Sequence, residues 1–332
     1  MRICEVPEKV CLLILSILTC LPCMTRAQNQ TSAFGFLELP ISSHEAALGG
    51  RNVSISEPDP AMTYSNPAVL TGIDKRMLGL NFMTWIAGSV SAGAQYCNKA
   101  GARSSFAVTA RYINYGISDL TDAVGNSSGT FSSRDIAIGG TYSYRLGDRW
   151  SGGATLNTIY SKYSYYSSFA MAVNLGLTYT SLSGRFNAGV SFANIGGQIK
   201  PFQDIRETLP FNITAGLSMR LEHAPLRLSL TLDRLNRWSD KDFYSPDGTL
   251  SSSDMFFRHV ILGADILITD RIYAAVGYNF KNAAELSTDG HKGLIGVSLG
   301  AGVNLDRVSF GLSYGQFQVS TPSFIFNFAI NI

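Results

Sequence analysis

Charge is scarce in this chain, since Asp, Glu, Lys and Arg together make up only 15% of its 332 residues. The formal net charge is +2. The basic residues form no cluster along the sequence and are not interleaved with stacking aromatics, so nothing in it suggests nucleic-acid binding. Glycine, by contrast, is abundant, with 32 residues. Low charge with much glycine is the composition expected of a protein whose outer surface faces lipid.

Cysteine and histidine are too few and too scattered to build a metal or catalytic site. No HExxH motif and no cysteine pair is present, and the four histidines lie far apart at His44, His223, His259 and His291. The glycine-rich run 296–302 is not a nucleotide loop, because its glycines alternate along a strand pattern with no helix after them. We therefore expect no catalytic residue, no metal, no cofactor and no enzymatic activity.

The first 27 residues have the pattern of a secretory signal. Arg2 and Lys9 supply positive charge, and the apolar run 10–21 is too short to cross a membrane as a helix. Small residues occupy the cleavage positions in 25–27, so we expect the mature chain to begin near Gln28.

Four of the five cysteines lie inside this signal: Cys4, Cys11, Cys20 and Cys23. A lipoprotein attached through Cys20 or Cys23 is the alternative, but the preceding residues fit it poorly. The mature chain would keep only Cys97, and no intrachain disulfide could then form.

The stretch from 211 to 233 alternates apolar and polar residues on both sides of the turn 222–225. Each side keeps this period of two over about ten residues, which is the length of a tilted membrane-spanning strand, whereas core strands of soluble sandwiches have about five or six. A one-residue slip would place Arg220, Arg227 and Asp233 against lipid, at a cost of up to about 2–4 kcal/mol for each arginine. The pattern therefore indicates a hairpin of a transmembrane β-barrel.

Charged residues on the inward face of such strands would line the lumen. They are Arg111, Arg220, Arg227, Asp233 and Asp265. We interpret them as a solvated or plug-bound wall in preference to a substrate site.

The same period recurs fourteen times after residue 76. The predicted strands are 77–85, 90–97, 105–115, 135–145, 150–160, 168–180, 185–195, 211–221, 226–234, 258–268, 271–280, 292–304, 307–316 and 322–332. An even number of strands places both ends of a barrel on one side of the membrane, which is the periplasm for bacterial outer membranes. The last strand must pair with the first, because closure removes both sheet edges.

Connection lengths support this count. The predicted connections after even-numbered strands are short, whereas 116–134, 196–210, 235–257 and 281–291 follow odd-numbered strands and are long. Short periplasmic turns with longer outer loops are typical of outer-membrane barrels. Outward aromatics fall near both strand ends, as two interfacial girdles would: Tyr144, Trp150, Tyr179 and Phe186 at one end, and Tyr112, Tyr160, Phe280 and Tyr314 at the other. We predict an all-β, 14-stranded antiparallel barrel over 77–332, in the outer membrane with its loops at the cell surface.

Residues 28–76 differ in composition from the strands that follow, with several prolines and the pair Gly49-Gly50. These exclude a regular strand and any helix longer than a turn or two near 43–48. The apolar side chains of this segment favour a plug inside the barrel mouth or lumen. The alternative is a periplasmic tail that packs on nothing.

Several stretches, in this order and spacing, resemble the PorQ family of type IX secretion proteins of Bacteroidota, within the wider group of FadL-like barrels. They are 36–40, 46–50, 66–68, 112–116, 199–202, 209–211, 221–225, 257–260 and 277–279. The resemblance implies a fourteen-stranded outer-membrane barrel with a plug-like segment. It also implies an arginine where this chain has His44, and this departure puts a specific ion pair between the plug and the lumen wall in doubt.

The resemblance further implies a role in cargo attachment at the cell surface, beside PorV, PorU and the surface protein PorZ. The resulting hypothesis is a non-enzymatic barrel that anchors such a partner, in contact with outer-membrane lipid and lipopolysaccharide. The alternative hypothesis is a FadL-like transporter of a hydrophobic small molecule. A transporter needs an apolar lumen pocket and a lateral route, whereas the inward faces are mainly Gly, Ser, Thr, Asn and Arg.

The long connection 235–257 carries the residues that we expect to contact a partner: Trp238, Phe243, Tyr244 and Phe256. Exposed aromatics are costly in water and dominate protein interfaces, so these side chains should be buried against something. The alternatives to a protein partner are the lipopolysaccharide layer and the barrel mouth itself, with the loop folded over it as a lid.

Overall fold

The computed structural model describes residues 34–121, 127–203, 206–245, 248–287, 294–319 and 321–332. The predicted signal peptide and His291 lie outside these ranges. In the described residues, fourteen antiparallel strands close into one barrel, in which each strand pairs with its chain neighbours and the first pairs with the last. The predicted fold class is confirmed.

The strands follow the predicted order. They are β1 (Met77–Thr84), β2 (Val90–Lys99), β3 (Ser104–Thr121), β4 (Ser127–Arg145), β5 (Trp150–Tyr163), β6 (Tyr166–Thr180), β7 (Phe186–Lys200), β8 (Asn212–Arg220), β9 (Leu226–Leu232), β10 (Val260–Leu267), β11 (Ile272–Asn279), β12 (Val297–Asn304), β13 (Val308–Gly315) and β14 (Ser323–Asn331). The turns after even-numbered strands define the short-turn end of the barrel, and the opposite end is the long-loop end.

Helical structure in the described residues is short. The α-helices are α1 (Ser43–Ala47), α2 (Ser252–Phe257) and α3 (Phe280–Glu285), and 3₁₀ turns span Gly35–Glu38, Pro60–Tyr64, Pro67–Gly72, Ile86–Gly88 and Asp240–Asp242. No helix in this part of the chain has the length and apolar character needed to cross a membrane.

In the hairpin of β8 and β9, the apolar residues of the alternating pattern face outward and the polar residues face inward. Leu217 and Met219 are exposed on the outside by 45% and 53%, while the intervening Ser218 is 2% exposed on the inside. On β9, Leu228 is likewise 48% exposed and Thr231 is 1% exposed. The predicted register is therefore the observed one.

One predicted loop is wrong. The segment 116–134 continues the β3–β4 ladder out to Thr121 and Ser127, with a register shift after Asn114. Strands β3 to β7 have 14 to 19 residues, more than the roughly nine to eleven that a bilayer requires. Beyond the membrane a ladder needs no apolar face, so the polar residues that suggested a loop are compatible with strand.

Residues 34–73 lie inside the barrel and form the plug, and the exposed residues 74–76 lead from it to β1. Many of its side chains are fully enclosed, including Phe34, Ala46 and Leu70 at 0% exposure. The plug backbone approaches the wall where the inward residue is glycine, and a Cβ atom at Gly153 would lie 2.6 Å from the carbonyl oxygen of Pro67. Glycine on the inward face therefore makes room for the plug.

Asn66 shows how the plug is folded locally. Its side-chain oxygen accepts a hydrogen bond from the Ala68 amide at 3.0 Å, which caps the 3₁₀ turn that Pro67 begins. Its side-chain nitrogen donates to the carbonyl oxygen of Val53 at 2.7 Å. One buried amide therefore ties two plug segments together.

The first and last strands close the barrel along a continuous seam. Their register runs from Met77 opposite Asn331 to Met83 opposite Ile325. Phe82 and Phe326 face each other across the seam, with ring centroids 6.5 Å apart. The predicted closing pair is confirmed.

A side chain added at Gly153 should displace the plug. We expect Gly153→Val to destabilise the folded barrel by at least about 1–3 kcal/mol, because the obstructing atoms belong to plug backbone and cannot rotate away. The measurement is the temperature at which the compact form is lost on a semi-native gel. Gly152→Val is the matched control, since this neighbour points outward and its Cβ would meet Leu146 at an ordinary 3.5 Å. Equal melting of the two variants would contradict the assigned role of Gly153.

Candidate functional site

A buried group of four charged side chains joins the plug to the wall. His44 of α1 lies between two carboxylates, with Nδ1 2.9 Å from Glu57 and Nε2 2.7 Å from Asp265 of β10. Arg227 of β9 reaches the same two carboxylates, Asp265 at 2.7 Å and Glu57 at 2.6 Å. We call these four residues the plug–wall cluster.

The cluster is balanced in charge when His44 is protonated. Burial alone would lower the pKa of His44, but the adjacent Glu57 and Asp265 carboxylates outweigh it and raise this pKa to about 9. Burial would raise the pKa of Glu57, but His44 and Arg227 hold it well below its usual range. Because both ring nitrogens face carboxylates, both must donate, as only the imidazolium can. Two cations therefore face two anions across the plug–wall boundary.

The helix α1 positions His44. Ser42 caps it by accepting a hydrogen bond from the Glu45 amide at 3.4 Å, and the ring of His44 stacks on Tyr273 of β11 with centroids 4.0 Å apart. The next residue, Glu45, turns into the plug, where the Ser65 hydroxyl donates to its carboxyl at 2.8 Å. Burial raises the pKa of Glu45 to about 8.

A second charged group, the mouth cluster, consists of Glu38, Arg51, Asp233, Arg234 and Arg237. Arg234 and Arg237 contact the Glu38 carboxylate at 2.9 and 3.5 Å, and Arg51 lies 3.5 Å from Asp233. Plug residues Glu38 and Arg51 therefore pair with the connection that follows β9, so the plug is fastened at a second level.

The predicted lumen charges have different surroundings. Asp265 and Arg227 belong to the plug–wall cluster, and Asp233 belongs to the mouth cluster. Arg111 is 3% exposed, donates to the carbonyl oxygen of Leu39 at 3.1 Å and lies over the Phe36 ring at 5.6 Å. Arg220 differs, because it lies at the short-turn end, is 52% exposed and faces Asp270 at 3.5 Å.

Sequence reasoning missed the plug partners of these charges. The histidine at position 44 had made an ion pair between plug and wall doubtful, and that doubt was wrong, because a protonated imidazole offers two N–H donors. The pairing could have been predicted from a histidine in the plug segment together with the inward charges Arg227 and Asp265 on two adjacent strands.

The predicted partner-binding aromatics divide into exposed and buried members. Trp238, Tyr244 and Phe256 are 54%, 61% and 48% exposed. Phe243 is 6% exposed, and its ring meets the buried His259 edge-on at 5.2 Å. Phe243 is therefore enclosed in the isolated chain and Trp238, Tyr244 and Phe256 are accessible, while contact of these residues with a partner stays a prediction.

Two small cavities lie between the plug and the wall. One cavity beside His44, Glu57 and Tyr273 has a volume of about 30 Å³, and another beside Ile41 and Arg111 has about 10 Å³. Such volumes hold about one water molecule, whereas small-molecule sites occupy roughly 300–1,000 Å³. Within the described residues, no three His, Cys, Asp or Glu side chains are arranged to hold a metal ion.

Comparison with known proteins identifies the fold. No protein-family model and no curated protein sequence matches the chain. Solved structures do match it: the Pseudomonas putida toluene transporter TodX superposes with a TM-score of 0.58 at 14% identity, covering 89% of this chain and 99% of that one. The Ralstonia pickettii toluene transporter TbuX gives 0.57 at 13% identity, with the same coverage of 89% and 99%.

A FadL homologue of Pseudomonas aeruginosa superposes with a TM-score of 0.51 at 12% identity, covering 87% of this chain and 97% of that one. The barrel has the FadL-type fold. Identities this low establish the FadL-type architecture alone, and what such a barrel does in this protein depends on its own residues.

The protonation of the plug makes its stability depend on pH. His44 and Glu45 bind protons more tightly in the folded protein than in the unfolded chain, so their contributions are full below the ordinary pKa values of 6.5 and 4.5 and disappear as the pH rises through about 9 and 8. We expect the protection factors of the amides in residues 34–76, which compare their exchange with that of an unfolded chain at the same pH, to fall above pH 9. Glu45→Gln should show a smaller change, and equal protection at pH 6 and above pH 9 would refute this dependence.

Removing one carboxylate from the plug–wall cluster should be costly. Asp265→Ala leaves the cations of His44 and Arg227 buried with Glu57 alone, and the loss of one partner from a buried ion pair typically costs about 3–5 kcal/mol. The unfolding midpoint in guanidinium chloride measures this loss. The exposed Asp270, 91% accessible in its pair with Arg220, provides the control Asp270→Ala, which should change the midpoint little. A similar midpoint for both variants would show that the cluster does not hold the plug.

Proposed function

We propose that this chain is a closed outer-membrane barrel that anchors a protein at the cell surface, as a component of the type IX attachment complex. The observation that carries this proposal is that the plug occupies the lumen and is held to the wall by buried ion pairs. A scaffold requires a stable barrel and a docking surface, but it requires no passage.

The contents of the lumen support a scaffold. The cavities beside His44 and Arg111 hold about 30 and 10 Å³, an order of magnitude below a site for a small ligand. The side chains around the plug include buried Arg111 and Asp265, and a hydrophobic passenger would have to separate such groups from their partners at high cost. The lumen of the described residues therefore favours a closed barrel over an open one.

The long-loop end supplies the docking surface. Trp238 and Tyr244 are exposed there, and so are Phe256 and Phe257, whose rings pack together at 5.9 Å. The polar residues of the 3₁₀ turn Asp240–Asp242 come between Trp238 and Tyr244 in the chain. Aromatic anchors inside a polar rim are the usual anatomy of a protein interface. The resemblance to the PorQ family indicates a PorZ-like surface protein, with PorU and PorV, as the partner.

A second candidate function is the passage of a hydrophobic small molecule. The specific observation that favours it is the likeness to two solved toluene transporters. This function would require the plug to leave the wall and open the lumen. The two candidates therefore differ in whether the plug–wall cluster opens during function.

Docking is tested by removing the exposed aromatics together. We expect the triple variant Trp238→Ala, Tyr244→Ala and Phe256→Ala to lose most of the surface protein that co-purifies after gentle detergent extraction, because aromatic anchors contribute about 2 kcal/mol or more each. Tyr165→Ala with Ile199→Ala is the control, since Tyr165 in the β5–β6 turn and Ile199 near the end of β7 are exposed apolar side chains outside the connection 235–257.

Two results would oppose the anchoring function. One is full retention of the surface protein by the triple variant at normal barrel level. The other is uptake of labelled toluene by cells that carry the wild-type barrel, with loss of that uptake when the plug is cross-linked to the wall; this result would favour the transporter.

A further inference from the structure

Two rows of outward side chains cross four neighbouring strands on one side of the barrel, in the order β12, β13, β14 and β1. The first row pairs Ala301 with Leu312, Phe326 and Phe82 in turn. The second row pairs Val303 with Phe310, Phe328 and Leu80. Both rows face outward, where the membrane lies.

Between these rows the wall has no outward side chains. The intervening residues are Gly302, Gly311, Asn327 and Asn81, which pair with one another across the same four strands. Two are glycines, and Asn327 points inward, where its side-chain oxygen accepts a hydrogen bond from the Ser43 amide at 3.0 Å. Backbone alone therefore forms the floor of a trough with apolar walls.

The trough has the size of a ligand site. Its volume is about 490 Å³, within the roughly 300–1,000 Å³ of small-molecule sites. It crosses three strand spacings, about 14 Å in all. The phenylalanines raise its sides, with Phe310 and Phe328 in contact at 5.1 Å, and the small Ala301 leaves its β12 end open. An extended hydrocarbon chain fits this shape.

Two arginines lie where the same strands reach the short-turn end. Arg76 directly precedes β1 and Arg307 directly precedes β13, and both are exposed. Their carbonyl oxygens accept hydrogen bonds from Ile332 and Asn331, so the two arginines flank the end of β14. Neither guanidinium has an ion-pair partner among the described residues, so both are available to an anion.

The spacing along the strands joins the two features. Leu80 follows Arg76 by four residues and Phe310 follows Arg307 by three, which places the trough about 10–14 Å from the arginines along the strands. A phospholipid with its phosphate at the membrane surface would reach the trough with an acyl chain over that distance.

The whole short-turn end favours anionic lipid. Antiparallel topology gathers basic residues there that are scattered in sequence: Lys75, Arg76, Lys99, Arg103, Arg145, Arg149, Arg185, Arg220, Arg271 and Arg307. The same described turns hold five acidic residues, Asp74, Asp148, Glu222, Asp270 and Asp306. Their excess of five positive charges compares with +2 for the whole chain. A basic surface next to a membrane attracts anionic headgroups.

We propose that the trough and the pair Arg76 and Arg307 form one binding site for a phospholipid with an anionic headgroup. The phosphate lies between the two guanidinium groups, and one acyl chain lies in the trough. The proposal concerns the outer wall, so it holds whether the barrel anchors a protein or transports a small molecule.

The arginines are tested with the full chain in mild detergent, by native mass spectrometry with added phosphatidylglycerol or phosphatidylethanolamine. We expect phosphatidylglycerol to bind the wild type more tightly, and Arg76→Gln with Arg307→Gln to weaken this binding about tenfold, the loss expected of a charge-assisted contact. Arg103→Gln with Arg149→Gln removes the same charge from the same end, away from the trough, and should weaken it much less. Equal weakening by both pairs, or no preference for phosphatidylglycerol, would overturn the site.

The trough is tested by filling it. Ala301→Trp should weaken binding of phosphatidylglycerol about as much as the arginine pair does, since the indole would occupy the space of the acyl chain. Ala264→Trp is the matched control, because Ala264 is an outward alanine on β10, paired with Leu228 and Val276. Unchanged binding to a folded Ala301→Trp barrel would overturn the acyl-chain assignment. Both arginines lie in exposed turns, so the arginine test does not depend on whether the tryptophan variant folds.

Discussion

The plug–wall cluster is the interaction on which the interior of this barrel depends. Taking two carboxylates, an imidazolium and a guanidinium out of water costs several kcal/mol for each ion, and only their mutual contacts offset that cost. His44 and Glu57 come from the plug, and Arg227 and Asp265 come from the wall. Neither partner can bury its charges without the other. All four charges are therefore compensated only when the plug is in place inside the barrel.

The position of the plug in turn restricts which residues can face inward on the wall. The plug backbone lies so close to Gly153 that a Cβ there would collide with it, and Gly300 would meet the side chain of Ala47 at 2.6 Å. The abundance of glycine therefore follows from the filled lumen as well as from strand packing. A transporter built on the same architecture would need to give up part of this fit, because a passenger and the plug cannot occupy the same space.

The sequence predicted the barrel well because a wall between lipid and lumen imposes a period of two on every strand. Strand order, closure and the inward facing of Asp265 followed from that period alone. The partners inside the lumen did not, since His44 and Asp265 are 221 residues apart and the plug has no period that sets its orientation. The burial of Phe243 beside the exposed Trp238 was equally invisible, because nothing in an irregular connection distinguishes the side that meets His259. The extended β3–β4 ladder was missed because strands beyond the membrane lose the apolar face that marks them.

Closure of the barrel also brings basic residues that are scattered along the sequence together at one end. Every second turn returns to the same end, so basic residues that form no cluster in sequence, such as Arg103, Arg149 and Arg307, become one rim. The opposite end receives the longer connections and the exposed aromatics Trp238 and Tyr244. The two ends therefore differ, since one would attract anionic headgroups and the other presents exposed aromatic side chains. This difference would give the barrel one orientation in the membrane. Because the plug occupies the lumen between them, a load at the aromatic end would be shared by the wall and the plug, which suits the proposed anchoring of a surface protein.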